Sequence, residues 1–195
     1  MTLANREALF SAGSFRAIEL NDGDIPGLQA FFERNPEYYH LVSGQPPRSD
    51  EAYQEMHEPL PDGWPYTRRW IIGLVNDVGA LVGMANVVSD LLAPSVWHIG
   101  FYLIATQLHG RGVAVPLYDA LENWMQAQGA HWLRLGVVDG NARAERFWKQ
   151  RGYVEVRTRS NIPHGVRVNT ISVRVKPLNG GAISDYLALV ERDRP

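Results

Sequence analysis

Residues 97–114, WHIGFYLIATQLHGRGVA, combine residue types and spacing that can do chemistry. An alternating apolar and polar run passes through a polar turn into Gly110, Arg111 and Gly112, and a helical pattern follows at once. The first turn of a helix leaves backbone N–H groups without partners, and the helix dipole favours negative charge there. Glycine lets the main chain approach a ligand closely, because no Cβ intervenes. The loop therefore reads as an anion site. Neither the GxxxxGK[ST] phosphate loop nor GxGxxG with an acidic residue about 20 positions later fits it. His98, on the strand leading in, adds an imidazole that can take a proton from an ammonium group, directly or through water. The alternative for His98 is a buried strand histidine satisfied by hydrogen bonds.

Residues 109–114, HGRGVA, resemble the Q/RxxGxG/A loop of the GNAT superfamily of acyl-CoA-dependent N-acyltransferases. Residues 141–153, NARAERFWKQRGY, resemble that family's second block, an Asn and a small residue followed by an aromatic pair and a Gly-aromatic ending. The resemblance implies an α+β fold, a mixed, largely antiparallel sheet with splayed central strands, flanked by helices. It also implies one domain over residues 1–195, with an acyl-CoA-binding core around residues 70–160. The implied activity is transfer of an acetyl group from acetyl-CoA, the acyl-donor substrate, to a primary amine of a small molecule in a ternary complex, without a metal. A protein or peptide amine, or a catalytically weak CoA-binding or sensing module, are the alternatives.

By the same resemblance, the amides of Gly110, Arg111, Gly112, Val113 and Ala114 bind the CoA pyrophosphate. Arg111 either adds charge or is a solvated surface residue. Leu103 and Ile104 mark the strand end whose open edge pairs with pantetheine and whose main chain offers an N–H to the thioester oxygen. Asn141 contacts the CoA arm and is also a good helix N-cap, with Phe147 packing beside it. His98 falls where some relatives carry a general-base Glu; Glu37 or a water chain would otherwise serve. Residues 37–44, EYYHLVSG, occupy the family's acceptor-binding segment, so Tyr38, Tyr39 and His40 either line an acceptor pocket or pack a helix on the sheet.

The chain departs from the family pattern twice. His109 replaces the first Gln or Arg of the loop, and a protonated imidazole there predicts tighter CoA binding near pH 6 than near pH 8. Trp148 stands where many relatives have a tyrosine general acid. An indole N–H donates hydrogen bonds but is far too weak an acid for a thiolate, so Tyr102 or water takes that role, or CoA leaves as the thiolate.

Composition narrows the class. A chain of 195 residues with 45% hydrophobic and 21% charged residues suits one globular domain. A formal net charge of −2 gives no reason to expect nucleic acid as partner. The absence of cysteine excludes disulfides and thiolate chemistry. No signal-like or membrane-spanning apolar run is present, which predicts a cytoplasmic protein without membrane attachment. A homodimer through the edge strands is open.

The elements that must position these residues follow from periodicity. Residues 13–20 alternate as a first strand, and residues 25–34 carry apolar side chains at helical spacing after Asp24, a candidate N-cap. Residues 49–57 suit a short helix and 59–65 a turn-rich connector, with Trp64, Tyr66 and Trp70 as pocket lid or edge packing. Strands are predicted at 69–76, 80–88, 96–104 and 131–138, helices at 112–128 and 141–151, a closing antiparallel pair at 153–159 and 167–175, and a short segment at 184–190.

Overall fold

The computed structural model describes residues 3–195. Its eight strands are β1 (Phe10–Ala12), β2 (Phe15–Glu19), β3 (Arg68–Val75), β4 (Leu81–Ser89), β5 (Val96–Ile104), β6 (Trp132–Val138), β7 (Val154–His164) and β8 (Arg167–Pro177). They form one sheet in the order β1-β2-β3-β4-β5-β6-β8-β7, antiparallel at every step except β5–β6. This is the mixed, largely antiparallel α+β sheet that the motifs imply. Helices α1 (Ile25–Arg34), α2 (Glu37–Val42) and α3 (Glu51–His57) cover one face; α4 (Ala114–Ala127) and α5 (Ala142–Gln150) cover the other. Helix α6 (Ile183–Leu189) follows β8.

Each helix buries the stripe its spacing provides. Leu28, Phe31 and Phe32 of α1 pack with Tyr39, Ala52 and Phe101, whereas Leu117, Tyr118, Leu121 and Met125 of α4 pack with Trp97, Leu133 and Leu135. Burying one such large apolar side chain is worth about 1.5–3 kcal/mol. Pro116 sits in the first turn of α4, where its missing N–H costs little. Asn141 caps α5, its Oδ1 accepting from the amide of Ala144.

Three local details differ from the sequence expectations. Asp24 does not cap α1; its carboxylate accepts from Arg6 and from the amide of Asn21, closing the preceding turn. Helix α4 starts at Ala114, two residues late, because residues 109–112 form a turn. β1 escapes periodicity because three residues show too little alternation; Gly13, at φ +60°, turns it back onto β2.

Two features of β5 position the site. The register with β4 passes from Asn86↔Phe101 to Val87↔Ile99, leaving Gly100 as an extra, bulged residue. The bulge swaps faces. Trp97 and Ile99 point toward α4, but beyond it Tyr102 and Ile104 do so, and Phe101 and Leu103 face α1 and α2. At the same place the parallel pairing stops: it ends at Ile99↔Leu135, while β5 stays paired with β4 to Ile104 and β6 with β8 to Val138. The two central strands therefore part at Gly100 and Gly136, both exposed.

Candidate active site

A cavity of about 510 Å³ is lined by the end of β5, beyond its pairing with β6, the turn before α4, the start of α5 and one face of α2. Among the described residues, the amides of Gly110, Gly112, Val113 and Ala114 find no backbone acceptor. Gly110 and Gly112 have φ near +73° and +74°, where an L side chain is strained, and nothing lies within 4 Å of where a Cβ would stand. This is an open cradle of backbone donors at a helix N-terminus, the arrangement that receives a phosphate group. The residues present fit a pyrophosphate.

Most residues singled out in the loop meet at this cavity. Tyr102, Leu103, Ile104, His109, Gly110, Gly112, Val113, Ala114, Asn141 and Phe147 all line it, and Trp148 is buried at its back. Arg111 does not line it; its side chain is exposed. The cation that does line it is Arg143, which sequence reasoning missed. A signal was available: arginine in the first turn of a helix opposes the dipole unless an anion lies nearby. Arg143 Nη1 meets Nδ1 of His109, whose Nε2 is 2.9 Å from the carbonyl oxygen of Ile104. That carbonyl requires an Nε2–H, so Nδ1 is the bare nitrogen and accepts from Arg143. His109 thus joins the end of β5 to Arg143 at the start of α5.

Tyr102 donates its hydroxyl proton to the carbonyl oxygen of Ala114 at 2.9 Å, and burial pushes its ionisation upward. Glu37 Oε2 accepts from Thr106 Oγ1 at 2.6 Å, and this bond, with Glu37's own amide, holds the carboxyl below its usual range. A carboxylate held down in this way is a poor base.

Of the three candidate acceptor residues Tyr38, Tyr39 and His40, only Tyr38 lines the cavity, together with Glu37 and Leu41 of the same segment. Tyr39 is a core residue packed on Phe32 and Phe101, and His40 is exposed, because a helix turns successive side chains about 100° apart. His98 is also brought elsewhere. Its Nδ1 lies 3.1 Å from the carbonyl oxygen of Arg134 and 3.3 Å from that guanidinium, and burial followed by the Arg134 charge hold its pKa down to about 3. It does not line the cavity. The ring of Trp64 packs against the guanidinium groups of Arg134 and Arg192, Trp70 stacks on Trp97, and Tyr66 is exposed, so these three are packing and surface residues and not a lid. Among the described residues, no group of three His, Asp or Glu is placed to hold a metal ion.

Comparison with known proteins decides the family. Residues 29–153 match the model of the Acetyltransferase (GNAT) family, well over half of the chain. The chain belongs to the GNAT family. No curated protein sequence matches it. Similar solved structures include an acetyltransferase from Thermus thermophilus (TM-score 0.67, 20% identity, covering 85% of this chain and 97% of that one). They also include the ribosomal-protein-S18-alanine N-acetyltransferase from Escherichia coli (0.63, 15%, 86% and 96%) and the spermidine N-acetyltransferase from Vibrio cholerae, solved with CoA and spermine (0.63, 16%, 85% and 96%). At these identities the likeness is one of fold. No helix of this GNAT chain is long and apolar enough to cross a membrane, among the described residues.

Proposed function

We propose that the protein transfers an acetyl group from acetyl-CoA to a primary amine of a small molecule, by direct attack within a ternary complex and in a single catalytic domain. The observation that carries this reading is a cavity that joins the end of β5, beyond its pairing with β6, to a cradle of amides without backbone acceptors at Gly110, Gly112, Val113 and Ala114. In this reading those amides, with Arg143, hold the pyrophosphate. Asn141 and Phe147 flank the pantetheine arm, and the free edge of β5 at Leu103 and Ile104 pairs with it and polarises the thioester oxygen. Tyr102 supports the α4 end of the cradle through Ala114. Its proton is committed there, and Trp148 supplies no acid, so coenzyme A leaves as the thiolate and takes a proton from the attacking nitrogen through water.

A small acceptor is favoured by how the other side of the mouth is built. The β7–β8 hairpin folds onto the end of α2, with Val166 N–H donating to Ser43 O and Asn169 Nδ2 to Val42 O. Helix α2 and the hairpin together narrow the approach that an extended peptide would need.

The test is incubation with acetyl-CoA and a panel of primary amines while free thiol is followed, alongside calorimetry with coenzyme A. Saturable binding with turnover supports the proposal. Binding without turnover of any amine would make the protein a CoA-binding module, and no heat with coenzyme A would remove the acyl donor altogether.

A further inference from the structure

A second polar constellation lies where β5 and β6 part, on the face opposite α4. Glu55 of α3 accepts from Nδ2 of Asn86 at 2.6 Å, across 31 residues of sequence. Asn86 Oδ1 is buried and has no partner. The Asn86 side chain comes within 3.7 Å of where a Cβ on Gly100 would stand, and His98 within 3.8 Å. Gly100 is the first residue of β5 beyond its pairing with β6. An exposed glycine inside a strand marks a place where another molecule can approach the backbone. Glu55, Asn86 and Gly100 lie outside the lining of the large cavity; Tyr38, which lines it, is within electrostatic range of Glu55 and has its ring 4.7 Å from that of Phe101.

The charges around this pair favour a cation. Glu51 and Glu58 flank Glu55 along the chain and add negative potential. Arg69, the nearby cation, spends its guanidinium on the carbonyls of Met56 and Glu58 and makes no hydrogen bond to Glu55. His98 is neutral at physiological pH. From the α2 side, Tyr38 and Tyr39 contribute rings that stay un-ionised. Two oxygen acceptors, Glu55 Oε2 and Asn86 Oδ1, thus have no protein donor among the described residues, beside aromatic rings and a bare glycine floor.

We propose that Glu55, held by Asn86, is the catalytic base that receives the acceptor's ammonium group, and that the acceptor is therefore a small cationic alkylamine. This rests on the acetyl-transfer reading above. The ammonium gives one proton to Glu55, freeing the nitrogen lone pair to attack the thioester carbonyl carbon. The C–S bond breaks with its electron pair on sulfur, and the second nitrogen proton passes to the thiolate, leaving a neutral amide and coenzyme A. Glu55 then returns its proton to solvent, one proton released per turnover. Asn86 is a positioning residue that acts through Glu55, its Nδ2–H holding the carboxylate in place. Burial raises the Glu55 carboxyl to about 7, against the opposing bond from Asn86, so it can both take and return a proton near neutrality.

The experiment uses the full chain with acetyl-CoA and 1,4-diaminobutane. Glu55→Gln keeps the bond from Asn86 and should lower kcat/KM for the amine at least about 100-fold, with coenzyme A affinity unchanged. The wild-type pH–rate inflection near pH 7 should vanish in that variant, while Asn86→Ala retains an inflection at a displaced pH. Wild-type kcat/KM and pH profile in Glu55→Gln would overturn the proposal. If the wild type binds coenzyme A but does not turn over, 1,4-diaminobutane is titrated calorimetrically into the coenzyme A complex. Heat that disappears in Glu55→Gln supports the site, and no heat in the wild type overturns it. Absence of coenzyme A binding would instead strike the acyl-donor reading, and the same titration into the free protein would still judge Glu55.

Discussion

Two carboxylates near the mouth are driven in opposite directions, which separates their roles. Glu37 is held down by Thr106 and its own amide, and Glu55 is pushed up by burial. The Glu55 shift also has a stability consequence. Because its folded pKa is raised from 4.5 to about 7, its contribution is fully present below the ordinary glutamate value and is lost as pH rises through 7. Glu55→Gln should therefore raise Tm relative to wild type at pH 8 and leave it nearly unchanged at pH 4, a trade of stability for function; a lower Tm at pH 8 would contradict the buried, ionised carboxylate. His109 makes a second prediction at this scale. Its ring accepts from Arg143 at one nitrogen and meets the carbonyl oxygen of Ile104 with the other. Coenzyme A affinity should fall in His109→Ala, as measured by calorimetry, because Arg143 loses the contact that holds it beside the loop. Unchanged affinity would show that His109 does not position Arg143 for the coenzyme.

At the scale of elements, the turn before α4 and the bulge in β5 do the positioning. Gly112 needs a left-handed backbone that costs an L residue about 1–2 kcal/mol, so Gly112→Ala should lower stability by about that much in a urea melt where the turn is kept, or weaken coenzyme A binding roughly 5- to 30-fold where the turn relaxes. A wild-type melt together with wild-type affinity would show that the left-handed turn is not required. The bulge at Gly100 explains why alternation misleads along this strand. Reading residues 96–104 as one uninterrupted period puts His98 and Tyr102 on one face, where both can be imagined in one site. The extra residue divides them: Tyr102 faces α4 and α5, and His98 faces the side of Asn86. A bulge is selected by tertiary packing and leaves no sequence mark beyond a glycine.

For the whole molecule, the C-terminal segment is tied to the sheet by one buried charge. Burial would raise the Asp193 carboxyl, but two bonds from Arg134, at 2.7 and 3.1 Å, with Tyr186 and Arg159, outweigh it and hold the pKa down to about 2. Asp193 and Arg134 are both buried, so Asp193→Asn strands a guanidinium without its counter-charge and should cost about 3–5 kcal/mol in a urea melt at pH 7. The contribution is present above the ordinary aspartate value and is lost as pH falls through about 2, so the variant should lose less stability than wild type on acidification from pH 4 to pH 2. The same ion cluster holds the ring of His98, which is why that residue could not be assigned by type alone. Much of the protein was nevertheless legible in one dimension. The periods of 2 and 3.6, the Gly110–Gly112 turn, the Asn141 cap and the Pro116 position are set by neighbours within a few residues, and local backbone sterics and hydrogen bonding enforce them wherever the chain folds. The surroundings of Glu55, the neutrality of His98 and the placing of Arg143, and not Arg111, at the cavity depend on groups 31, 36 and 34 residues away. Desolvation and Coulomb forces act through space, so only the assembled sheet, with its two strands parted, decided which of many polar side chains would face the site.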